Sequence, residues 1–229
     1  MNVFYLPTAQ LGIISFPEEE SKHIVKVLRM KEGDCFCVTD GKGSMFDAEL
    51  VDAHPKRATA NLTNQRNGYD IRDFKLSIAI APTKLNERTE WFLEKATEIG
   101  IDEVKLFASY HSERRVANVE RFKKIVVAAM KQSVKSKMPL VEDIVPFEKL
   151  VKQDFDGQKF IAWIDDDVKE QLCDLYKKSE NVMVLIGPEG DFSKEEVQLA
   201  KDNGFVPISL GKARLRTETA AVVACHTVQ

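Results

Sequence analysis

The chain has 229 residues, 44% of them apolar and 30% charged, and a formal net charge of −3. That length accommodates one large domain or a medium domain with a small companion, and no stretch approaches the roughly 20 apolar residues of a membrane helix. The mildly acidic balance removes any global electrostatic case for nucleic-acid binding and leaves only local patches to carry one.

At the start, Met1–Tyr5 lacks a basic region followed by an apolar run, so no signal peptide is expected and the cytoplasm is the default compartment. Residues 1–70 read as a small, mostly β domain. Glu19 to Met30 predicts one short helix with Ile24, Val27 and Leu28 on a common face. His23 and Arg29 fall within it; Arg29 can contact RNA or pair with a carboxylate, and its spacing does not decide which. Cys35-Phe36-Cys37-Val38 alternates like a strand, and Asp40-Gly41 predicts a hairpin turn directly after it. Cys35 and Cys37 form one loose pair while Cys173 and Cys225 are isolated, so four reduced thiols and no metal site are expected. The polar stretch Thr63 to Gly68 predicts the linker.

From Lys75 the rhythm changes. Apolar runs at 76–81, 104–108, 160–164, 182–186 and 205–210 alternate with helical patterns at 86–100, 118–137, 167–178, 194–203 and 217–228. Alternation of this kind predicts an α/β domain with a mostly parallel sheet covered on both faces. Gly100 and Gly204 are placed as left-handed helix ends, and Ser193 to Glu196 as a capping box.

In such sheets ligands bind beyond the carboxyl ends of the strands, and three exits here are distinctive. The first is Ala81-Pro82-Thr83-Lys84. The second is Ile186-Gly187-Pro188-Glu189-Gly190-Asp191. The third runs from Ser209 through Leu210, Gly211, Leu215 and Arg216 to Thr219, with Lys212, Arg214 and Arg216 making it basic. Neither a GxGxxG fingerprint nor a P-loop is present. Glu189 and Asp191 disfavour a polyphosphate and tolerate a cationic ligand; equally, they simply suit the positive N-terminus of the next helix. On the long helix, Arg121, Lys124, Lys131 and Lys135 fall within about 80° of one another at 100° per residue. From Arg114 to Lys137 there are eight basic residues and one acidic residue, Glu120. A stripe of one sign suits contact with a phosphate backbone, which is electrostatic and blind to sequence.

Together "HIVKVLRMKEGD", "KATEIG", "KQSVKSKMP", "LIGPEGDFSKEE" and "SLGKARLRTETA" resemble, in order and spacing, the ribosomal small-subunit methyltransferase E family, over nearly the whole chain. The resemblance implies a PUA-like RNA-binding β-barrel over 1–70. It also implies a SPOUT-type α/β domain with a C-terminal trefoil knot over 71–229, and a homodimer. The implied reaction is methylation of uridine N3 in 16S rRNA by S-adenosylmethionine, without metal or membrane. By motif position, the cofactor would lie against Ile186, Gly187, Pro188, Glu189, Gly190, Leu210, Gly211, Leu215, Arg216 and Thr219. Arg216 and Glu218 would act in catalysis, and Arg29, Lys84, Arg121, Lys124, Lys131 and Lys135 would face RNA. Four residues depart from the family pattern: Asp191 stands for a glycine, Ala213-Arg214 for an arginine and a branched residue, and Lys135 for an arginine. Alternatives of a different class are a SPOUT enzyme acting on a ribose 2′-hydroxyl or on tRNA, and a non-catalytic ribosome assembly factor.

Overall fold

A computed structural model describes residues 2–165 and 167–229. The chain divides into two compact units, Met1–Ile71 with Val127–Met138, and Arg72–Val126 with Pro139–Gln229.

The first unit is built on β1 (Val3–Tyr5), β2 (Gly12–Ser15), α1 (Glu18–Lys22), β3 (Cys35–Thr39), β4 (Ser44–Asp52) and β5 (Thr59–Asn67). The sheet order is β1-β3-β4-β5-β2, with β1 and β3 parallel and the other pairs antiparallel. Alternate residues Phe36 and Val38, then Phe46, Ala48 and Leu50, then Ala60 and Leu62 turn one face into a core with Phe4 and Phe16. The predicted hairpin forms at 40–43, where the Asp40 carboxylate accepts from the amides of Lys42 (2.7 Å) and Ser44 (3.0 Å). Two expectations fail here. Residues 63–67, read as a linker, belong to β5, because their polar side chains point away from the core while their backbone pairs with β4. The expected helical face also breaks: α1 gives way to a π-helical turn at His23–Val27, whose wider winding shifts the side chains out of line, so Ile24 is buried but Val27 is 68% exposed.

The second unit takes β6 (Leu76–Ile80), α2 (Asn86–Ile99), β7 (Glu103–Ala108), the start of α3 (Val119–Gln132, whose residues from Val127 onward belong to the first unit), β8 (Leu140–Val141), β9 (Val145–Pro146) and α4 (Phe147–Val151). It continues with β10 (Gln158–Ala162), α5 (Leu172–Leu175), β11 (Val182–Ile186), α6 (Lys194–Asp202), β12 (Val206–Ile208) and α7 (Thr217–Val228). All its strand pairs are parallel, in the order β12-β10-β11-β6-β7-β8, with β9 on β7. Every residue of β6 and β11 is buried, as strands covered on both faces must be. One cover is α4 and α6, where Phe107, Phe147 and Phe192 pack with centroids 5.4–5.9 Å apart. The other is α2 and α7, which lie against each other. Gly100 ends α2 at φ 104, and Ser193 with Glu196 closes a reciprocal capping box on α6.

The long helix stops at Gln132 rather than 137, because Val134 turns to φ 59 and Lys135 donates back to the Met130 carbonyl. The helix expected over 167–178 shrinks to the four residues of α5. Upstream of it the Ser209 amide donates to the Glu170 carbonyl (2.8 Å), and the Leu172 amide donates to the Ser209 carbonyl (3.2 Å), which holds the segment extended beside the β12 exit. Among the described residues no helix is long and apolar enough to cross a membrane, and all four cysteines are free thiols.

Candidate functional site

The last residues of β10, β11 and β12 are in register: Ala162 pairs with Ile186 and with Ile208. Together they floor a cavity of about 980 Å³ at the carboxyl edge of the sheet. One wall is Gly187–Asp191, a second is Ser209–Thr217, and a third is formed after β10 by Trp163, Ile164, Asp165, Val168, Lys169 and Gln171. The volume sits at the upper end of the range for small-molecule sites, and the position is where an α/β sheet offers one. Ile186, Gly187, Pro188, Glu189, Gly190, Leu210, Gly211, Leu215 and Arg216 all line it; Thr219 does not, its place on α7 being taken by Thr217 and Ala220.

The glycines have steric reasons. A Cβ at Gly187 would stand 3.0 Å from the Phe192 ring, and one at Gly190 only 2.9 Å from the Cβ of His111. Gly211 adopts φ 114, a conformation closed to most side chains, and its amide donates to Ser209 Oγ at 3.2 Å.

The two carboxylates of the GPEGD turn are engaged locally. Glu189 Oε1 accepts the Lys84 amide (3.0 Å), tying the β6 exit to the β11 exit. Asp191 accepts the amides of Phe192 (2.8 Å) and Ile164 (3.2 Å), which fastens the segment after β10 to the same turn. Burial pushes the Asp191 carboxyl above its ordinary pKa, against those two amides and the nearby charges of His111 and Arg214. Neither residue caps α6, since Ser193 does. Their charge therefore reports loop architecture before it reports the ligand.

On the far side Arg216 is the N-cap residue of α7 and its side chain is exposed at the cavity. Glu218, in the first turn, is 7% exposed; its Oε1 lies 3.8 Å from Arg88 Nε, and its buried Oε2 has no hydrogen-bond partner. Arg88 itself lines the cavity, as do Trp163, Ile164 and Lys169. Sequence reading passed over these four. Arg88 sits in the first turn of α2 with no flanking motif, Trp163 and Ile164 read as the end of an apolar strand, and Lys169 read as part of the helix expected over 167–178.

The basic residues expected to face RNA are scattered. Arg29 is exposed in the first unit at φ 56, and Lys124 is exposed on α3. The others are held by carboxylates: Lys84 by Glu113 (2.8 Å), Arg121 by Glu90 in a fork of 2.6 and 2.9 Å, Lys131 by Glu20 (2.7 Å) and Lys135 by Asp70 (2.6 Å). The single-sign stripe is thus largely neutralised by acids from elsewhere in the chain.

Residues 71–229 match the family described as the RNA methyltransferase domain, and residues 16–63 match the RNA methyltransferase PUA domain. A protein of Synechocystis named ribosomal RNA small subunit methyltransferase E is 30% identical, over 88% of this chain and 68% of its own. The chain belongs to the ribosomal RNA small subunit methyltransferase E family. Among solved structures, a probable rRNA-methyltransferase of Porphyromonas gingivalis is 42% identical with a TM-score of 0.92, covering 100% of this chain and 98% of that one. The family's enzyme from Neisseria gonorrhoeae, solved bound to S-adenosylmethionine, is 27% identical with a TM-score of 0.89, over 98% and 95% of the two chains. Family membership thus covers both units, with the PUA match on the small sheet and the methyltransferase match on the parallel one.

Proposed function

We propose that the chain transfers a methyl group from S-adenosylmethionine to N3 of a uridine in the 16S rRNA of the small ribosomal subunit. The observation that carries this reading is the cavity at the joined ends of β10, β11 and β12, walled by the two segments whose sequences matched the family. Its residues fit the cofactor. An apolar floor suits the adenosyl group, and the glycine turns bring backbone close to the ligand. Glu218 stands behind that wall, its buried Oε2 unpartnered and its Oε1 3.8 Å from Arg88 of the lining. The cofactor supplies an electrophilic methyl group on sulfur. The protein must then hold the uracil ring in line and stabilise the anion left when N3 gives up its proton.

Arg216, exposed at the cavity on the N-cap of α7, is the group assigned to that anion. Glu218, fixed by burial and paired with Arg88, serves as positioning carboxylate and proton acceptor. In this reading Gly187–Asp191 and Ser209–Thr217 are loops of a SPOUT trefoil knot, the protein works in the cytoplasm as a homodimer, and the PUA-like unit holds rRNA with Arg29 on its surface.

Tritiated methyl transfer to 16S rRNA and to tRNA, followed by digestion to nucleosides, tests the substrate. Label in 3-methyluridine from 16S rRNA alone is expected, and label in a ribose or in tRNA would refute the assignment. For the arginine, Arg216→Ala should reduce kcat by on the order of 10²–10³, well beyond any loss of S-adenosylmethionine affinity measured by calorimetry. Equal losses in both would remove Arg216 from the chemistry.

A further inference from the structure

The β7 exit contributes no residue to the lining of the cavity. Beyond Ala108 the chain folds into a tight turn: the Ser109 amide donates to Ser112 Oγ (2.9 Å), and the Ser112 amide returns to the Ser109 carbonyl (3.2 Å). Tyr110 sits in this turn with its backbone held on both sides. Its amide donates to Glu196 Oε1 (2.7 Å), and its carbonyl accepts from Arg115 Nη2 (3.3 Å). The residue is nevertheless 73% exposed. Backbone this well anchored does not need an aromatic ring in water, so the ring calls for a ligand.

Its surroundings say which ligand. The His111 ring meets Tyr110 edge-on at 4.9 Å and 76°, and His111 Nδ1 lies 3.0 Å from the Asp191 carbonyl. Gly190 and Asp191 are wall residues of the cavity, so the tyrosine stands one residue away from its mouth. Two cations follow on the same loop, one of them bound to the Tyr110 backbone. Arg114 donates to the carbonyls of Thr83 (3.2 Å) and Lys84 (2.8 Å), and Arg115 to those of Ser109 (3.2 Å) and Tyr110. Both guanidinium groups are fixed by neutral carbonyls, so they keep their net charge, unlike the paired cations of α3. An exposed ring on anchored backbone, with fixed cations on the same loop, is how proteins hold unpaired nucleotides: bases stack on the ring and phosphates meet the cations.

We propose that Tyr110 is the stacking platform for a nucleotide adjacent to the methylated base, with Arg114 and Arg115 meeting its phosphates. The proposal rests on the RNA-methyltransferase reading for its ligand. The full-length Tyr110→Ala, Tyr110→Phe and Tyr110→Leu proteins, each checked by thermal melting, are compared in methyl transfer to 16S rRNA and in fluorescence anisotropy with a uridine-rich single-stranded RNA. Tyr110→Ala should raise the KM for rRNA about tenfold, the scale of one lost stack, with kcat and S-adenosylmethionine affinity unchanged. Phenylalanine should restore the wild-type KM, and leucine, equally apolar but without a π face, should not. An unchanged KM with active wild-type enzyme overturns the platform and leaves the enzyme reading intact. Leucine performing as well as phenylalanine, or RNA affinity unmoved by alanine, also overturns it and points to a protein contact. Wild-type protein that transfers no methyl group but loses RNA affinity on Tyr110→Ala would refute the enzyme and support the platform.

Discussion

Asp191 holds φ 61, a left-handed conformation that glycine enters freely and aspartate more readily than most other side chains. The backbone therefore keeps the shape that a glycine would give it, and the added carboxylate does something glycine cannot: it fastens Ile164 to the turn. Its pKa sits above the ordinary 3.8 because burial penalises the charge. The folded protein thus binds the proton more tightly than the unfolded chain. The ionised carboxylate subtracts stability above the folded pKa, and that loss disappears as pH falls to 3.8 and below. An amide at this position carries no such charge. The melting temperature of wild type relative to Asp191→Asn should therefore move in favour of wild type as pH is lowered from about 7 to about 4. A difference independent of pH would mean that the carboxyl titrates like a solvated one. Replacement by glycine should free the segment after β10 and weaken cofactor binding before it touches kcat.

Helices and strands show how far pairing between elements escapes a reading along the chain. On α3 the cations at 121, 124 and 131 follow helical spacing while Lys135 lies past the helix end, and the acids that hold 121, 131 and 135 come from α2, from α1 and from Asp70, where no periodicity within one segment can show them. Of the four, Lys131 has the most at stake. It and Glu20 are about four-fifths buried, and Glu20 Oε2 already lacks a partner. Lys131→Ala would leave a buried carboxylate uncompensated, at about 1–3 kcal/mol. Lys124→Ala, on the exposed side, should change stability by less than about 0.5 kcal/mol. Urea unfolding of both variants, with Glu20→Gln added to the first to recover part of its loss, measures the contrast. Similar costs at 124 and 131 would show the pair to be solvent-screened.

At the scale of the whole molecule, the alternating strands and helices after residue 75 were legible because each central strand is an unbroken apolar run and each helix end carries its own chemistry, Gly100 and Ser193 above all. The two glycine-bearing exits were legible as a site for the same reason: they come directly after strands. What lay hidden depends on long-range contacts. Residues 167–171 have helical periodicity, yet the Val168 amide turns back to the Asp165 carbonyl, and hydrogen bonds of Ser209 with Glu170 and Leu172 hold the end of the stretch beside the β12 exit. Arg88 enters the cavity only because α2 packs against α7. Likewise, nothing in composition marks Val127–Met138 as part of the first unit. There the Ser136 carbonyl accepts from Thr39 Oγ1 (2.9 Å) and the Gly43 amide (3.1 Å), and the Met138 amide donates to the Gly41 carbonyl (2.9 Å). A fragment ending at Ile71 should accordingly show a broad, low-temperature melt by circular dichroism, sharpened by adding a peptide of residues 127–138. A fragment that already melts sharply would show that the later segment is dispensable.

That discontinuity also sets a clock. During synthesis the first 71 residues leave the ribosome well ahead of the segment at 127–138 that completes their unit. At about 5–20 residues per second, they wait for several seconds with the Thr39 hydroxyl and the Gly41–Gly43 backbone facing water. The small unit begins first and finishes only after much of the larger one has emerged, so on a growing chain it stays open to solvent, and to any chaperone or RNA that reaches it, until α3 arrives.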